Sequence, residues 1–335
     1  MRFPRVAITG GAGYVGSALV PTLLERGYDV TVLDWFLYGE DVFSAVAGHP
    51  GLHPVKLDIR DERAVTQALH GMDAVIHLAC ISNDPSFELD PRLGKAINYD
   101  AFLGLMRAMR SQGVRRFIYA SSSSVYGIQE IPNVGEETPC RPLTDYSKYK
   151  LLCEDALRAE GLGECEWVIV RPATVCGYAS RLRLDLTVNL LTIHGLAKKE
   201  ITVFGGSQLR PNLHIRDMAA VYELLLRAPR EAIHGQTFNA GYQNRSVAEL
   251  AELIRKQIGD AAVTITTKPT DDLRSYHIQS GRIERVLGFR PRWTIEDAVQ
   301  GICEAYRAGR IPEALTHPRY YNIKMMQTAN VEALV

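Results

Sequence analysis

The sequence predicts an α/β protein in which helices cover both faces of a doubly wound parallel sheet. Short apolar strands alternate with helical segments from residue 6 to residue 171, a rhythm that is typical of parallel sheets. A glycine-rich turn joins the first strand to the first helix. After Pro172 the alternation loosens, which predicts a second and smaller α/β unit.

The first half of the chain consists of successive strand–helix pairs. An apolar strand at 6–9 is followed by helical periodicity at 14–26, which stops at Gly27. Further strands are expected at 29–33, 54–57, 73–79, 115–121 and 166–171, and further helices at 61–69, 92–112 and 146–160. Strands that are connected through helices in this way lie parallel to one another.

The second half contains longer helices separated by short strands. Helices are expected near 186–198, 215–227, 246–258 and 295–308, and strands near 201–204, 236–239 and 263–266. No flexible linker separates the two halves. We therefore predict one domain over 1–172, to which some later segments return, and a smaller α/β domain over 173–335.

The turn after the first strand has the spacing Gly10-x-x-Gly13-x-x-Gly16. The first glycine permits a tight turn, the second lets the backbone approach a pyrophosphate, and the third lets the helix pack closely on the strand. Asp34 ends the second strand about 20 residues later, where a carboxylate binds ribose hydroxyls. A carboxylate repels the 2′-phosphate of NADP, so the pattern predicts a Rossmann fold that binds NAD.

Tyr146 and Lys150 lie four residues apart at the start of a predicted helix. Residues with this spacing share one helix face, so both side chains can point into one cleft. The serine-rich run 121–127 lies at the carboxyl end of a predicted strand, where ligands bind in open α/β sheets. Tyr320 and Lys324 repeat the spacing but lack such a context.

In these motifs the chain resembles the extended short-chain dehydrogenase/reductases that modify nucleotide sugars, the NAD-dependent epimerase/dehydratase family. It is similar to their UDP-galactose 4-epimerases and, in the stretches 81–85 and 181–189, to oxidoreductases that act at C4 of nucleotide-linked heptoses. The resemblance spans nearly the whole chain. It rests on TGGAGYVG at 9–16, DI at 58–59, HLA at 77–79, Asn98, SSSSVYG at 121–127, YSKYK at 146–150, RPATVCG at 171–177, RPNLHIRD at 210–217, LRSY at 273–276 and LGFRP at 287–291.

The resemblance implies a role for each matching residue. Tyr146 would exchange a proton with a sugar hydroxyl, Lys150 would hold the ribose and lower the pKa of that tyrosine, and Ser122 would hydrogen-bond the reacting oxygen. Asp58 would meet the adenine. The implied cofactor-binding residues are Gly10, Gly13, Tyr14, Val15, Gly16, Asp34, Asp58, Ile59, Leu78, Ala79, Asn98, Tyr146, Lys150 and Pro172.

One departure from the family pattern bears on the reaction. The dehydratases of this family carry Asp-Glu directly after the catalytic Ser or Thr, whereas this chain has Ser123 and Ser124. A serine hydroxyl cannot replace a carboxylate in protonating a leaving group or abstracting an α-proton. We therefore expect no 4,6-dehydration.

The resemblance also implies that the second domain binds a nucleoside-diphosphate sugar. Arg210 and Arg274 match arginines that grip the diphosphate, for which a planar, permanently charged group is suited. Thr174 stands where many epimerases have asparagine. For the arginines of the loop at 181–183, exposure to solvent is as good an explanation as a role in substrate binding. The candidate substrate-binding residues are Ser82, Ser123, Thr174, Arg183, Asn189, Arg210 and Arg274.

Three functions are compatible with these residues. The first is C4 epimerisation, in which one base and a retained cofactor suffice. The second is a net 4-dehydrogenase or 4-ketoreductase, whose substrate could be a nucleotide-linked heptose. The third is a non-catalytic NAD-binding sensor, against which the intact set of Ser122, Tyr146 and Lys150 argues.

Composition excludes several other classes. Lys plus Arg and Asp plus Glu are both 38, so no basic surplus indicates nucleic acid. No apolar run approaches the roughly 20 residues of a membrane span, and the first residues do not form a secretory signal. The six cysteines lack paired or metal-ligand spacing, so we expect free thiols, no metal and a cytoplasmic location.

By family resemblance we expect a homodimer built on the helices at 92–112 and 146–160. Their apolar positions could equally belong to the core of one chain; they are Leu103, Leu105, Met106, Met109, Leu151, Leu152 and Ala156. The tail at 311–335 matches no motif and could cover the second domain or the interface.

Overall fold

The computed structural model describes residues 2–82, 84–129, 131, 133–270 and 277–329. Its strands are β1 (Arg5–Thr9), β2 (Asp29–Asp34), β3 (Leu52–Lys56), β4 (Ala74–His77), β5 (Arg116–Ala120), β6 (Glu166–Pro172), β7 (Thr174–Cys176), β8 (Glu200–Phe204), β9 (Leu209–His214), β10 (Gln236–Ala240), β11 (Gln243–Ser246) and β12 (Thr264–Lys268). Most of these strands are five or six residues long.

The helices are α1 (Tyr14–Glu25), α2 (Glu62–Ala68), α3 (Asp84–Leu89), α4 (Pro91–Lys95), α5 (Ala101–Gln112), α6 (Asp145–Glu160), α7 (Thr187–Lys198), α8 (Ile215–Arg227), α9 (Arg230–Ile233), α10 (Val247–Ile258), α11 (Gly281–Leu287), α12 (Ile295–Arg307) and α13 (Asn322–Thr328). A π-helical turn at Ala96–Asp100 connects α4 to α5. Short 3₁₀ turns cover Glu40–Val46, Ser123–Tyr126 and Pro318–Tyr320.

Within the described residues, seven strands form one parallel sheet in the order β3-β2-β1-β4-β5-β6-β10. The order reverses direction between β1 and β4, so the loops after these two strands diverge and leave a crevice at the carboxyl ends. This arrangement confirms the predicted doubly wound α/β fold.

Each face of the central sheet carries its own core because side chains alternate along a strand. In β1, Val6 and Ile8 enter one buried apolar cluster and Ala7 enters the other. Helices α1 and α8 contact each other on the first face, whereas α2 and α5 contact each other on the second. The sheet and its loops are thereby held on both sides.

The chain after β6 builds smaller sheets around a second helical layer. In the described part of this region, β9 pairs parallel with β7 and antiparallel with β11, and β8 pairs parallel with β12. Helices α7, α10 and α12 pack against one another. Strand β10 returns to the central sheet beside β6, as some later segments were expected to do, while the division at residue 172 remains a prediction.

The structure differs from the sequence-based elements in two respects. The helix expected at 92–112 is broken by the π-helical turn. The short elements β7, β9, β11, α3, α9, α11 and α13 were not expected. No helix among the described residues combines the length and apolar character needed to cross a bilayer.

Candidate active site

A cavity of about 550 Å³ opens at the carboxyl ends of the central strands. Most of the predicted site residues line it: Gly10, Gly13, Tyr14, Val15, Gly16, Asp34, Ile59, Leu78, Ala79, Ser82, Ser122, Ser123, Tyr146, Lys150, Pro172, Thr174, Arg183 and Arg210. Asp58, Asn98 and Asn189 do not line this cavity, and Arg274 lies outside the described residues. The fold thus brings the glycine loop and the candidate catalytic residues to one cleft.

The glycine loop has the tight geometry that a dinucleotide site requires. Gly10 has a φ of 69°, and a Cβ built on it would lie 2.5 Å from the backbone nitrogen of Ala79. A Cβ on Gly16 would lie 2.2 Å from the carbonyl oxygen of Gly11, so α1 packs directly on the loop. Both positions exclude a side chain, and the loop backbone faces the cavity as a pyrophosphate cradle would.

Asp34 ends β2 beside this loop. Its carboxylate accepts hydrogen bonds from the backbone nitrogens of Ala12 at 2.9 Å and Phe36 at 2.8 Å. Burial raises the pKa of Asp34, and the two backbone N–H donors act in the opposite direction. The residues therefore fit NAD, with the ribose-binding carboxylate next to the phosphate loop.

Two of the predicted cofactor residues act within the protein. Asp58 pairs with the guanidinium of Arg60, which lies 5.4 Å from the ring centre of Trp35. Asn98, in the π-helical turn, accepts from the backbone nitrogen of Ile81 at 2.8 Å and donates to its carbonyl oxygen at 3.0 Å. Asn98 therefore fixes the chain that leaves β4, whose residues line the cavity.

The candidate catalytic residues come together at the start of α6. Tyr146 lies in its first turn and Lys150 one turn later, with the ammonium nitrogen 5.9 Å from the centre of the tyrosine ring. Lys150 donates from Nζ to the carbonyl oxygen of Ala120 at 2.7 Å, which fixes it at the end of β5. The hydroxyl of Ser122 lies close enough to Tyr146 to lower the pKa of the phenol by hydrogen bonding.

Ser124 orients Ser122. Its hydroxyl donates to Oγ of Ser122 at 2.9 Å, and its backbone nitrogen donates to the same atom at 3.1 Å. Because both lone pairs of Ser122 are engaged in this way, its own proton is left to point at Tyr146. The three hydroxyls form a short chain that ends at the reacting position.

The pKa of Tyr146 is raised in this structure, whereas the sequence predicted that it would be lowered. Burial, followed by the neighbouring Cys80, raises the pKa of Tyr146 well above its usual range, while the hydrogen bond from Ser122 and the charge of Arg183 lower it. Lys150 is not among the main influences on this pKa, and desolvation sets its direction in place of the predicted lowering. Oxidised nicotinamide would add a positive charge to the cleft and favour tyrosinate.

Arg183 reaches into the cleft from the loop before α7. It donates from Nε to Asp185 at 2.9 Å and from Nη1 to the hydroxyl of Ser82 at 3.0 Å. Its second terminal nitrogen, Nη2, is buried and has no hydrogen-bond partner among the described residues. A donor in this position is suited to an oxygen of a bound substrate.

Asn189 supports this loop from behind instead of facing the cavity. Its amide oxygen accepts from the backbone nitrogen of Gly177 at 2.9 Å, and its amide nitrogen donates to the hydroxyl of Tyr14 at 3.1 Å and the carbonyl of Arg183 at 2.8 Å. Three of the four hydrogen bonds that this amide can form are thus made within the protein. The geometry thus points to a positioning role and not to the predicted substrate contact.

The C-terminal segment supplies cleft residues that the sequence did not indicate. Asn322 and Met326 of α13 line the cavity. The amide nitrogen of Asn322 donates to Oγ of Ser82 at 2.9 Å, and its amide oxygen accepts from the hydroxyl of Tyr38 at 3.1 Å. A single asparagine outside any motif gives no signal of such a role.

Comparisons with known proteins agree with this geometry. A model of the NAD dependent epimerase/dehydratase family matches residues 6–241. A UDP-glucose 4-epimerase of Lactobacillus helveticus is 26% identical over 343 residues, covering 96% of this chain and 100% of the relative. The crystal structure of DesIV, a dTDP-glucose 4,6-dehydratase from Streptomyces venezuelae with NAD bound, has a TM-score of 0.82 at 25% identity and covers 91% of this chain and 98% of its own.

A further solved structure is similar to the same extent. MoeE5 in complex with UDP-glucuronic acid and NAD has a TM-score of 0.79 at 25% identity, and the match covers 91% of this chain and 99% of that one. The similar proteins therefore include an epimerase and a dehydratase.

Proposed function

The chain belongs to the NAD-dependent epimerase/dehydratase family, and from this premise we propose that it epimerises C4 of a nucleotide sugar by hydride transfer. Membership confirms the resemblance drawn from the sequence motifs, and with it NAD as the cofactor. The observation that carries the proposal is that Ser122, Tyr146 and Lys150 share one cavity with the glycine loop and Arg210.

The proposed reaction divides the work between cofactor and side chains. NAD, which the glycine loop and Asp34 would hold, would supply reversible hydride transfer at C4 when bound. Tyr146 takes the proton of the C4 hydroxyl as the hydride leaves and gives it back on return. Ser122 donates a hydrogen bond to the same oxygen, and Lys150 keeps a positive charge within reach of the phenol ring.

Epimerisation is favoured over dehydration by the side chains that follow Ser122. Ser123 and Ser124 carry hydroxyls, and that of Ser124 is bonded to Ser122. Of the carboxylates that line the cavity, Asp84 accepts from Thr144 and Asp185 pairs with Arg183. Among the described residues the positions after Ser122 thus offer no carboxylate for loss of water.

The wall on the substrate side carries cations that suit a diphosphate sugar. Arg183 and Ser82 lie at the end of the cavity near Tyr146, whereas Arg210 lines both this cavity and a neighbouring one of about 390 Å³. The second cavity contains apolar walls from Leu190, Leu191 and Phe204. We place the sugar beside Tyr146, the diphosphate at Arg210 and the nucleoside in the second cavity.

A substrate panel tests the proposal. The purified protein is incubated with UDP-, GDP-, dTDP- and CDP-sugars, products are identified by NMR, and NADH is followed by its near-ultraviolet absorbance. We expect the C4 epimer of one sugar without net formation of NADH.

Each other result has a defined meaning. Net NADH formation or consumption would replace the proposal by a 4-dehydrogenase or 4-ketoreductase. A 4-keto-6-deoxy product would contradict the argument from Ser123 and Ser124. Normal NAD binding without turnover across the panel would indicate a non-catalytic NAD-binding protein.

A further inference from the structure

Arg181 is a buried cation whose hydrogen-bonding capacity is only partly used. Its side chain is 2% exposed and lines the cleft. Nε and Nη1 meet no hydrogen-bond acceptor in the described part of the chain. The guanidinium lies 3.6 Å from the ring centre of Tyr38, a contact that favours positive charge but satisfies none of these donors.

The surroundings of Arg181 do not neutralise it. The charged residues within its electrostatic reach are Arg183, Asp185 and Asp34. Asp185 pairs directly with Arg183 at 2.9 Å, and Asp34 accepts hydrogen bonds from two backbone N–H groups. Arg181 forms no ion pair among the described residues, and a buried cation without such a partner is suited to a bound anion.

The position of Arg181 identifies which anion is at hand. Its backbone nitrogen donates to Oγ of Ser17 at 3.3 Å, and Ser17 is in the first turns of α1, directly after the glycine loop. Its charge acts on Asp34 and on Tyr14. Arg181 therefore lines the same cavity as the glycine loop and Asp34, with its backbone next to α1.

We infer that Arg181 is a cofactor ligand that binds the NAD diphosphate beside the glycine loop. Its guanidinium carries a permanent positive charge and two unpartnered N–H donors, Nε and Nη1, which suit single hydrogen bonds to phosphate oxygens. The inference rests on NAD as the cofactor and not on the proposed epimerisation.

Asn322 is the positioning residue for this contact. Its amide oxygen accepts from Nη2 of Arg181 and from the hydroxyl of Tyr38, and its backbone nitrogen donates to Asp185 at 3.2 Å. The side chain is buried. Helix α13 thus holds the guanidinium in place through Nη2, while Nε and Nη1 have no partner among the described residues.

Calorimetry on the full-length protein freed of nucleotide tests the inference. Arg181→Gln should raise the Kd for NAD and for ADP-ribose by roughly 10- to 100-fold, the loss expected for a hydrogen bond to a charged group. Binding of adenosine, followed by NMR, should not change because adenosine has no phosphate. The protein purified from cells should also carry less NAD.

Arg319→Gln is the control, because it removes a partly buried arginine that pairs with Asp41 and does not line the cavity. We expect its Kd for NAD to match that of the wild type. Asn322→Ala leaves the charge of Arg181 in place. It should weaken NAD binding by roughly 3- to 10-fold, about the value of one hydrogen bond. Asn322→Asp should also weaken NAD binding, because the new carboxylate competes with phosphate for Arg181.

A folded Arg181→Gln protein that binds NAD and ADP-ribose like the wild type would overturn the inference. So would a variant whose loss is confined to nucleotide sugars, since Arg181 would then be a substrate ligand. If Arg181→Gln fails to fold, the Kd for NAD is measured for Arg181→Lys and Asn322→Ala instead. A Kd that is unchanged in both variants contradicts the inference. These binding results remain interpretable if no nucleotide sugar in the panel is converted, because they do not depend on the proposed epimerisation.

Discussion

Tyr146 performs the proton transfer in the proposed reaction, although its surroundings oppose ionisation. Burial raises the pKa of its phenol, and the hydrogen bond from Ser122 and the charge of Arg183 only partly compensate. A base must lose its proton before it can accept one, so a raised pKa implies that activity increases with pH. Positive charge brought by the oxidised cofactor then becomes part of how the residue is activated.

Replacing Tyr146 by Phe separates chemistry from binding. We expect turnover to fall roughly 100- to 10,000-fold, the range of positioned acid–base groups, while the Kd for NAD stays near that of the wild type. Turnover is measured on the substrate identified by the panel, and NAD binding by calorimetry. An active Tyr146→Phe protein would remove this residue from the mechanism.

Single residues were predictable where a motif surrounds them. Ser122, Tyr146 and Asp34 occur in patterns whose spacing follows from the turn, the strand end or the helix face, and the structure brings all three to the cleft. Asn322 was missed because its partner Ser82 is 240 positions away in the chain. Asn189 was placed at the substrate because its burial behind the loop has no counterpart in the sequence.

At the scale of elements, α6 is fixed to the sheet by an ion pair that lies two turns after Tyr146. Glu154 is fully buried and accepts from Nε of Arg171 at 2.9 Å, from Nη2 of the same residue at 2.6 Å and from Arg158 at 2.7 Å. Burial would raise the pKa of Glu154, but these bonds, above all those with Arg171, lower it. The pair therefore sets the height of the catalytic helix above β6.

Glu154→Gln should lower the free energy of unfolding by roughly 3–5 kcal/mol, because Arg171 is left buried without its partner. The depressed pKa means that the stabilisation is present above the ordinary value of 4.5 and is lost as the pH falls through the lower, folded-state pKa. Urea unfolding of both proteins from pH 7 downward measures this difference.

Glu160→Gln on the exposed end of the same helix is the control, and we expect a change within about 0.5 kcal/mol. A stability difference for Glu154→Gln that stays below about 1 kcal/mol at neutral pH would show that Arg171 finds another partner, contrary to the range for buried pairs.

Elements were predictable where hydrophobic periodicity is strong. The central strands and α1, α6, α8 and α12 lie within a few residues of the positions that periodicity indicates. Strand β11 was missed because its four residues are all polar and its order comes from pairing with β9. The π-helical turn before α5 was missed because Asn98 is held there by a backbone that is distant in sequence.

At the scale of the whole molecule, the helical face expected at a dimer interface is smaller than the sequence suggested. Leu105, Met106 and Met109 are buried in the core of their own chain. Leu152 remains 43% exposed and Leu103 is partly exposed. These two leucines define the face that we propose for the homodimer, with α5 and α6 of two chains forming a four-helix layer.

Charged substitutions on this face test whether the protein forms the proposed homodimer. We expect the wild type to sediment at twice the monomer mass, and the double variant Leu103→Glu, Leu152→Glu to sediment as a monomer, because two carboxylates would be buried in an apolar contact. Val286→Glu changes an apolar side chain that is similarly exposed, 46% on α11, and should leave the mass unchanged. A monomeric wild type at micromolar concentration would contradict the proposal.

The docking of α13 has a consequence for when the protein acquires its cofactor. The contacts of Asn322 with Tyr38 and Ser82 span 284 and 240 positions of the chain, and contacts between such distant segments form late because long loops must close first. A nascent chain that has been synthesised as far as β6 contains the glycine loop, but it contains neither Arg181 nor α13, which orients Arg181. We therefore expect the proposed contact between Arg181 and the NAD diphosphate to form only after α13 has docked.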